Sequence, residues 1–223
     1  MKTILILRHG KSDWDADYAG DHERPLAKRG QKGARKMGRF LTTARAVPDR
    51  AITSTAVRAR ETLATAAEAG GWTGAARVTD ALYEATPQAV LAEIQAEPDD
   101  ADTVVVVGHE PTSSGLISLL IGGGRVEMKT AAVARVDVEV ETWAAVTAGR
   151  GSLAFLLPPG ALRPNAYRKL KKTIDKAIDA RKKAEKQAAK TSAPKAPPQP
   201  TTSLPRGGVE TRQPDAEPGD ATA

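Results

Sequence analysis

Cysteine is absent from the 223 residues, which rules out a disulfide framework, a thiolate metal site and a cysteine nucleophile. Aromatic residues make up only 4% and histidine occurs three times, so imidazole chemistry has few places to come from. No apolar run approaches the roughly 20 residues that span a bilayer. The four apolar residues after Met1-Lys2-Thr3 are too few for the apolar region of a secretory signal, so a cytoplasmic enzyme or binding protein is expected. The P-loop pattern and the GxGxxG fingerprint are both missing, and "IGGGR" at 121–125 follows a helical pattern, where it reads as a turn.

With 40% hydrophobic and 27% charged residues, the composition suits a soluble protein with one sizeable core plus appendages. The net charge of +6 is unevenly placed. Residues 1–162 hold 19 Lys+Arg against 20 Asp+Glu, residues 163–190 hold 11 against 3, and residues 191–223 hold 3 against 4. The basic character therefore belongs to one C-terminal segment.

Short Val- and Ile-rich runs alternate with stretches of helical period, which predicts βαβ units and a mostly parallel sheet covered on both faces. The strand candidates are Thr3 to Leu7, "RAITST" at 50–55, a weaker "ARVTDALYE", and "TVVVVGH", whose four consecutive valines suit a strand buried on both sides. Gly30, Ala34, Met37 and Leu41 mark the apolar side of a first helix. A second helix, over 56–69, should stop at Gly70-Gly71, and a third should open at Thr86-Pro87 with Thr86 as its cap. A further helix is expected over 111–121. "AAVARVDVEV" and "GSLAFLLPP", separated by a turn around 147–150, predict an antiparallel hairpin at the sheet edge. The expected fold class is thus α/β, with a mostly parallel central sheet. Three regions are expected: a domain over 1–160, a basic amphipathic helix over 161–190 with Tyr167, Leu170, Ile174 and Ile178 as its apolar stripe, and a disordered Pro-rich tail over 191–223.

Ligands of parallel sheets bind outside the carboxyl ends of the strands. Three strands end informatively: Arg8-His9-Gly10 after the first, Ser54 with Arg58 after the second, and Gly108-His109-Glu110 after the valine run. Two arginines, two histidines and a helix N-terminus would converge on one rim, a chemistry suited to a phosphoryl group. Guanidinium forks bind phosphate oxygens through paired, charge-assisted hydrogen bonds, which makes Arg8 and Arg58 the natural clamp. A neutral imidazole is the strong nucleophile that remains, so His9 would attack phosphorus in line and His109 would donate to the transferring group. No metal and no cofactor are expected.

These residues resemble a known family. "RHG" after the first strand, "STAVRARET" after the second and "GH" after the valine strand are similar to the histidine phosphatase superfamily, with its phosphoglycerate-mutase-like fold. More narrowly, "LILRHGKSDW", "DHERPLAKRGQKGARKMG", "LYEATP" and "VVGHEPT" resemble the SixA-type phosphohistidine phosphatase branch over about residues 1–158. The resemblance implies a three-layer αβα sandwich without a metal, His9 as the phosphorylated nucleophile, Arg8 and Arg58 as phosphate ligands and His109 as the second pocket histidine. Gly10 stands where the branch often has alanine, and Glu110 where a small or amide residue is usual. Many members carry an acid near Glu84 to protonate an oxygen leaving group; a phosphohistidine leaving group, being an imidazole, needs less such help. Asp13, Asp21 and Arg24 are expected at the pocket rim, with Arg24 either in an ion pair or on the substrate.

The leading expectation is a metal-independent phosphatase acting through phosphohistidine, with phosphohistidine protein as substrate. The alternatives are a small-molecule phosphate-ester phosphatase and a non-catalytic phosphate-binding scaffold whose basic tail contacts acidic partners. With Tyr167 the only aromatic residue in the basic segment, stacking on nucleic-acid bases has little support.

Overall fold

A computed structural model describes residues 1–162 and, beyond them, residues 172, 173, 175, 176, 179, 180, 183, 184 and 187, all helical. The molecule divides after residue 181 into two units, and the fold below is that of the first. The apolar stripe expected at Tyr167, Leu170, Ile174 and Ile178, and the tail over 191–223, lie outside the described residues.

Six strands form one sheet: β1 (Lys2–Arg8), β2 (Arg50–Ser54), β3 (Ala75–Thr79), β4 (Thr103–Gly108), β5 (Val133–Val138) and β6 (Gly151–Leu157). Their spatial order is β3-β2-β4-β1-β5-β6. The first four are mutually parallel, while β5 pairs antiparallel with β1 and with β6, which places the expected hairpin at one edge. Helices α1 (Lys28–Thr43) and α2 (Val57–Gly70) pack on one face, and α3 (Pro87–Gln95) and α4 (Thr112–Leu120) on the other, completing the three-layer αβα sandwich.

The period-two geometry of a strand divides the aliphatic runs between the two cores. Ile4, Ile6, Val104 and Val106 meet Leu116, Ile117 and Leu120 of α4. Leu5, Leu7, Val105 and Val107 meet Met37, Phe40 and Leu41 of α1 and Leu63 of α2. At about 1.5–3 kcal/mol per fully buried large aliphatic side chain, β1 and β4 are the most strongly anchored strands. They hold their carboxyl ends in a fixed register, with Arg8 opposite Gly108.

The turn chemistry read from the sequence is present. Gly71 ends α2 in the left-handed conformation at φ 66°, and the Thr86 hydroxyl accepts from the Ala89 amide to cap α3. Gly122, Gly123 and Gly124 all have positive φ, as the turn after α4 requires. Helix α4 starts at Thr112 rather than 111, because Pro111 occupies the residue before its first turn. The hairpin departs from expectation. Its connection is not a tight turn at 147–150 but the whole stretch 139–150, with a short 3-10 turn at Trp143–Ala145. Trp143 is fully buried there, and its indole donates to the Ala101 carbonyl at 2.9 Å, which pulls the connection onto the core.

Candidate active site

The register of the sheet brings three strand ends together. His9 and His109 directly follow the paired residues Arg8 and Gly108, and the His9 amide continues the ladder by donating to the Gly108 carbonyl at 3.0 Å. The two imidazoles stand with ring centroids 5.0 Å apart. Ser54, at the end of the neighbouring β2, places its hydroxyl 2.9 Å from His109 Nε2.

The tautomer of His9 follows from its partner. Its Nδ1 lies 2.8 Å from the Gly10 carbonyl, which can only accept, so Nδ1 carries the proton and Nε2 keeps its lone pair. Burial lowers the His9 pKa from 6.5 to about 3; the bond to Gly10 opposes this, and the positive charges of Arg58 and Arg8 reinforce it. Burial, followed by the charge of Arg58, likewise lowers His109 to about 4. Both rings are therefore neutral at neutral pH.

Gly10 holds the nucleophile loop against α1. A Cβ at Gly10 would come within 2.9 Å of the Gly30 carbonyl oxygen, and one at Gly30 within 2.2 Å of the Lys11 carbonyl oxygen. The glycine is needed for close backbone approach rather than for an unusual turn. The Gly10 amide is satisfied by Thr62 Oγ1 at 2.9 Å, and the Thr62 hydroxyl donates in turn to the Arg58 carbonyl at 2.6 Å. Loop, α1 and α2 are thereby tied together around His9.

Arg8 donates through Nη1 to the Met128 carbonyl at 2.6 Å. Arg58, in the first turn of α2, is 5% exposed and reaches Asp21 twice, with Nη1 to its carbonyl at 2.5 Å and Nη2 to its carboxylate at 2.8 Å. Arg8 Nε, Arg58 Nε and His109 Nδ1 are buried without a hydrogen-bond partner. Buried polar groups are nearly always satisfied, so clustered unmet nitrogens among guanidinium and imidazole groups suit an incoming oxyanion.

Asp21 organises the rim. It accepts from Arg24 at 2.5 Å and from the Tyr83 hydroxyl at 3.2 Å. Burial would raise its pKa, but the Arg24 hydrogen bond and the Arg58 charge outweigh that and hold it below the usual carboxylate value. Arg24 is buried, and its guanidinium lies over the Trp14 ring at 3.5 Å, so it meets the site through Asp21. The Asp13 amide donates to the Pro25 carbonyl, which braces the same loop.

Beside His109 opens a cleft of about 440 Å³, lined by Asp21, Arg58, Tyr83, Glu84, His109 and Glu110 among others. Glu84 is exposed at this cleft with a left-handed backbone at φ 50°. Glu110 does not turn away from the pocket: it lines the cleft, with Oε1 buried and without a partner. Two contributors escaped the sequence reading. His22 places Nε2 2.9 Å from the Thr55 hydroxyl and packs edge-on against Tyr83, and Tyr83 itself stands edge-on to His109. The only signal for either was proximity in sequence, His22 to Arg24 in "DHERPL" and Tyr83 to Glu84 in "LYEATP".

The model of the histidine phosphatase superfamily (branch 1) matches residues 4–87, which carry Arg8, His9 and Arg58. An uncharacterized protein of Mycobacterium tuberculosis is 42% identical over 114 residues, 51% of this chain and 69% of the relative. Another, from Mycobacterium leprae, is 39% identical over 121 residues, 53% of this chain and 73% of the relative. The chain belongs to the histidine phosphatase superfamily. Among solved structures, the protein histidine phosphatase SixA complexed with tungstate superposes on this histidine phosphatase with a TM-score of 0.63 and 27% identity, covering 72% of this chain and 99% of that one. A SixA-type protein from Nakamurella multipartitia gives a TM-score of 0.61 and 28% identity over 70% of this chain and 96% of that one.

Among the described residues, no helix of this phosphatase is long and apolar enough to cross a membrane.

Proposed function

We propose that this histidine phosphatase hydrolyses protein phosphohistidine through a covalent intermediate on His9. The observation that carries the proposal is the neutral His9 ring, whose Nδ1–H is committed to the Gly10 carbonyl so that the Nε2 lone pair is left for phosphorus. Arg8 and Arg58 meet the charge on the phosphoryl oxygens. His109 Nδ1, buried and without a partner, is the natural third contact once the ring accepts a proton or changes tautomer beside the anion. In the first step a bond forms between His9 Nε2 and phosphorus as the bond to the substrate imidazole nitrogen breaks, and that nitrogen takes up a proton. Water then attacks phosphorus, inorganic phosphate departs and His9 regains its lone pair. Guanidinium charge performs the electrostatic work, so the scheme calls for no metal.

An imidazole leaving group needs little protonation, which fits an exposed Glu84. Phosphate esters form a second reading, favoured by Glu110, which lines the same cleft, has Oε1 buried and unpaired, and could carry a proton to an alkoxide. The test compares a histidine-phosphorylated peptide with p-nitrophenyl phosphate in the wild type and in Glu84→Gln and Glu110→Gln. The proposal expects phosphohistidine turnover to survive both substitutions within a few-fold. If both variants lose phosphohistidine and ester turnover equally, the unassisted leaving group is wrong.

A further inference from the structure

One helix of the described molecule presents a run of exposed basic residues. Helix α1 carries Lys28, Arg29, Lys32, Arg35, Lys36 and Arg39, all exposed, and no acidic residue. Spacings of three and four residues align them in one strip along roughly 17 Å of helix at 1.5 Å per residue. Among the described residues only Lys36 has a side-chain partner, the Pro159 carbonyl at 2.8 Å, and none of the six is paired with a carboxylate. Like charges at these spacings repel and weaken the helix, a cost that a bound anion would relieve.

The strip leads to Arg8, the residue before His9. Its N-terminal half borders a cavity of about 690 Å³ whose wall includes Arg8, Lys11, Arg29, Lys32 and Lys129, with Glu127 the only acid among the described residues of the lining. Its C-terminal half borders a second hollow of about 630 Å³, where Lys32, Arg35, Lys36 and Arg39 surround a floor of Phe40 and Leu162. The sequence continuing beyond Leu162 adds 11 basic residues against 3 acidic ones over 163–190. Residues 1–162 as a whole are close to neutral, so a helix with six exposed basic residues and no acidic one is a local concentration of positive charge.

We infer that the α1 face, with the cavity beside Arg8, is the docking surface for an acidic protein that carries the phosphoryl group to His9. The inference rests on the phosphohistidine reading for the identity of the cargo, not for the docking itself. Charge complementarity selects the partner: a carboxylate-rich surface could lie along the strip while its phosphorylated residue enters past Arg8. A membrane is a poorer fit, because among the described residues none of the exposed large hydrophobic side chains, Met1, Trp14, Val47, Val78 and Leu153, lines either hollow. Nucleic acid is also a poorer fit, since among the described residues the only aromatic ring in the two linings, Phe40, is 2% exposed and unavailable for stacking.

The experiment uses two peptides phosphorylated on histidine by phosphoramidate, one flanked by glutamates and the other by lysines. Its variant is Arg29→Glu/Lys32→Glu/Arg39→Glu, which exchanges exposed charges and relieves repulsion along α1. Wild-type kcat/KM should favour the glutamate peptide by about tenfold or more at low salt, the scale of electrostatic steering. The preference should collapse at high salt and in the variant, while p-nitrophenyl phosphate turnover stays within twofold. Equal rates on the two peptides would overturn the docking surface and leave the phosphohistidine reading standing. Fluorescence anisotropy with the unphosphorylated glutamate peptide separates the opposite case. Saturable binding that the variant loses supports the surface even where neither phosphopeptide is hydrolysed, a result that would sink only the substrate assignment. Tighter binding of a single-stranded oligonucleotide or of phosphatidylserine vesicles than of the glutamate peptide would also overturn it.

Discussion

Replacing His9 with asparagine should make the fold less sensitive to acid. The His9 pKa lies near 6.5 in the unfolded chain and is lowered to about 3 by burial in the folded one, so between those values the unfolded state binds more protons. The associated stability is intact above pH 6.5 and is lost as pH falls toward 3. From pH 8 to pH 5 the loss amounts to about 2 kcal/mol, because each pH unit below the unfolded pKa contributes about 1.36 kcal/mol. Asparagine does not titrate, and its shape allows the side chain to sit near the Gly10 carbonyl. Urea unfolding, followed by the fluorescence of buried Trp143, should therefore show the stability gap between wild type and His9→Asn shift by about 2 kcal/mol in favour of the variant over this interval. His109 contributes its own acid sensitivity to both proteins and cancels to first order. A gap that stays constant to within about 0.5 kcal/mol would mean that His9 is not held neutral by burial, and the argument for a ready nucleophile would fail.

Other substitutions test the frame around the site. Gly38→Ala would push a Cβ to 2.0 Å from the Ala66 carbonyl oxygen, forcing α1 and α2 apart; thermal melting should show a loss of about 1–3 kcal/mol or more. Thr62→Val leaves the buried Gly10 amide without its acceptor, so a loss of about 1–3 kcal/mol should accompany a fall in kcat larger than any change in KM. Asp21→Asn removes a carboxylate that competes with incoming anions for Arg58; inhibition by inorganic phosphate should strengthen several-fold, and unchanged or weaker inhibition would show that Asp21 instead prepares Arg58 for the anion.

The sequence made the scaffold legible wherever a local rule was also the dominant energy. The aliphatic runs of β1 and β4, the Gly71 stop and the Thr86 cap all appear in the structure because burial and backbone geometry decide them within a few residues. The alignment of His9, Ser54 and His109 was legible for a related reason, since parallel strands of known direction bring their carboxyl ends to one side. Long-range packing was not legible. Asp21 bridges Arg24, Arg58 and Tyr83 only after a loop of nineteen residues, 9–27, folds back over α2, and nothing in its local pattern specifies that path. Trp143 drew no expectation from the sequence, because only the folded chain shows the core and the Ala101 carbonyl that it reaches. The need for Gly10 was equally hidden, since contact with Gly30 on a different element sets it.

The most direct measurement of the central claim is covalent phosphate on His9. Wild-type protein mixed with a phosphohistidine peptide and quenched rapidly in base should carry an acid-labile phosphoryl group that peptide mapping places on residue 9, and His9→Asn should carry none. Turnover without any trapped phosphate on wild type, or the same label on His9→Asn, would contradict the account.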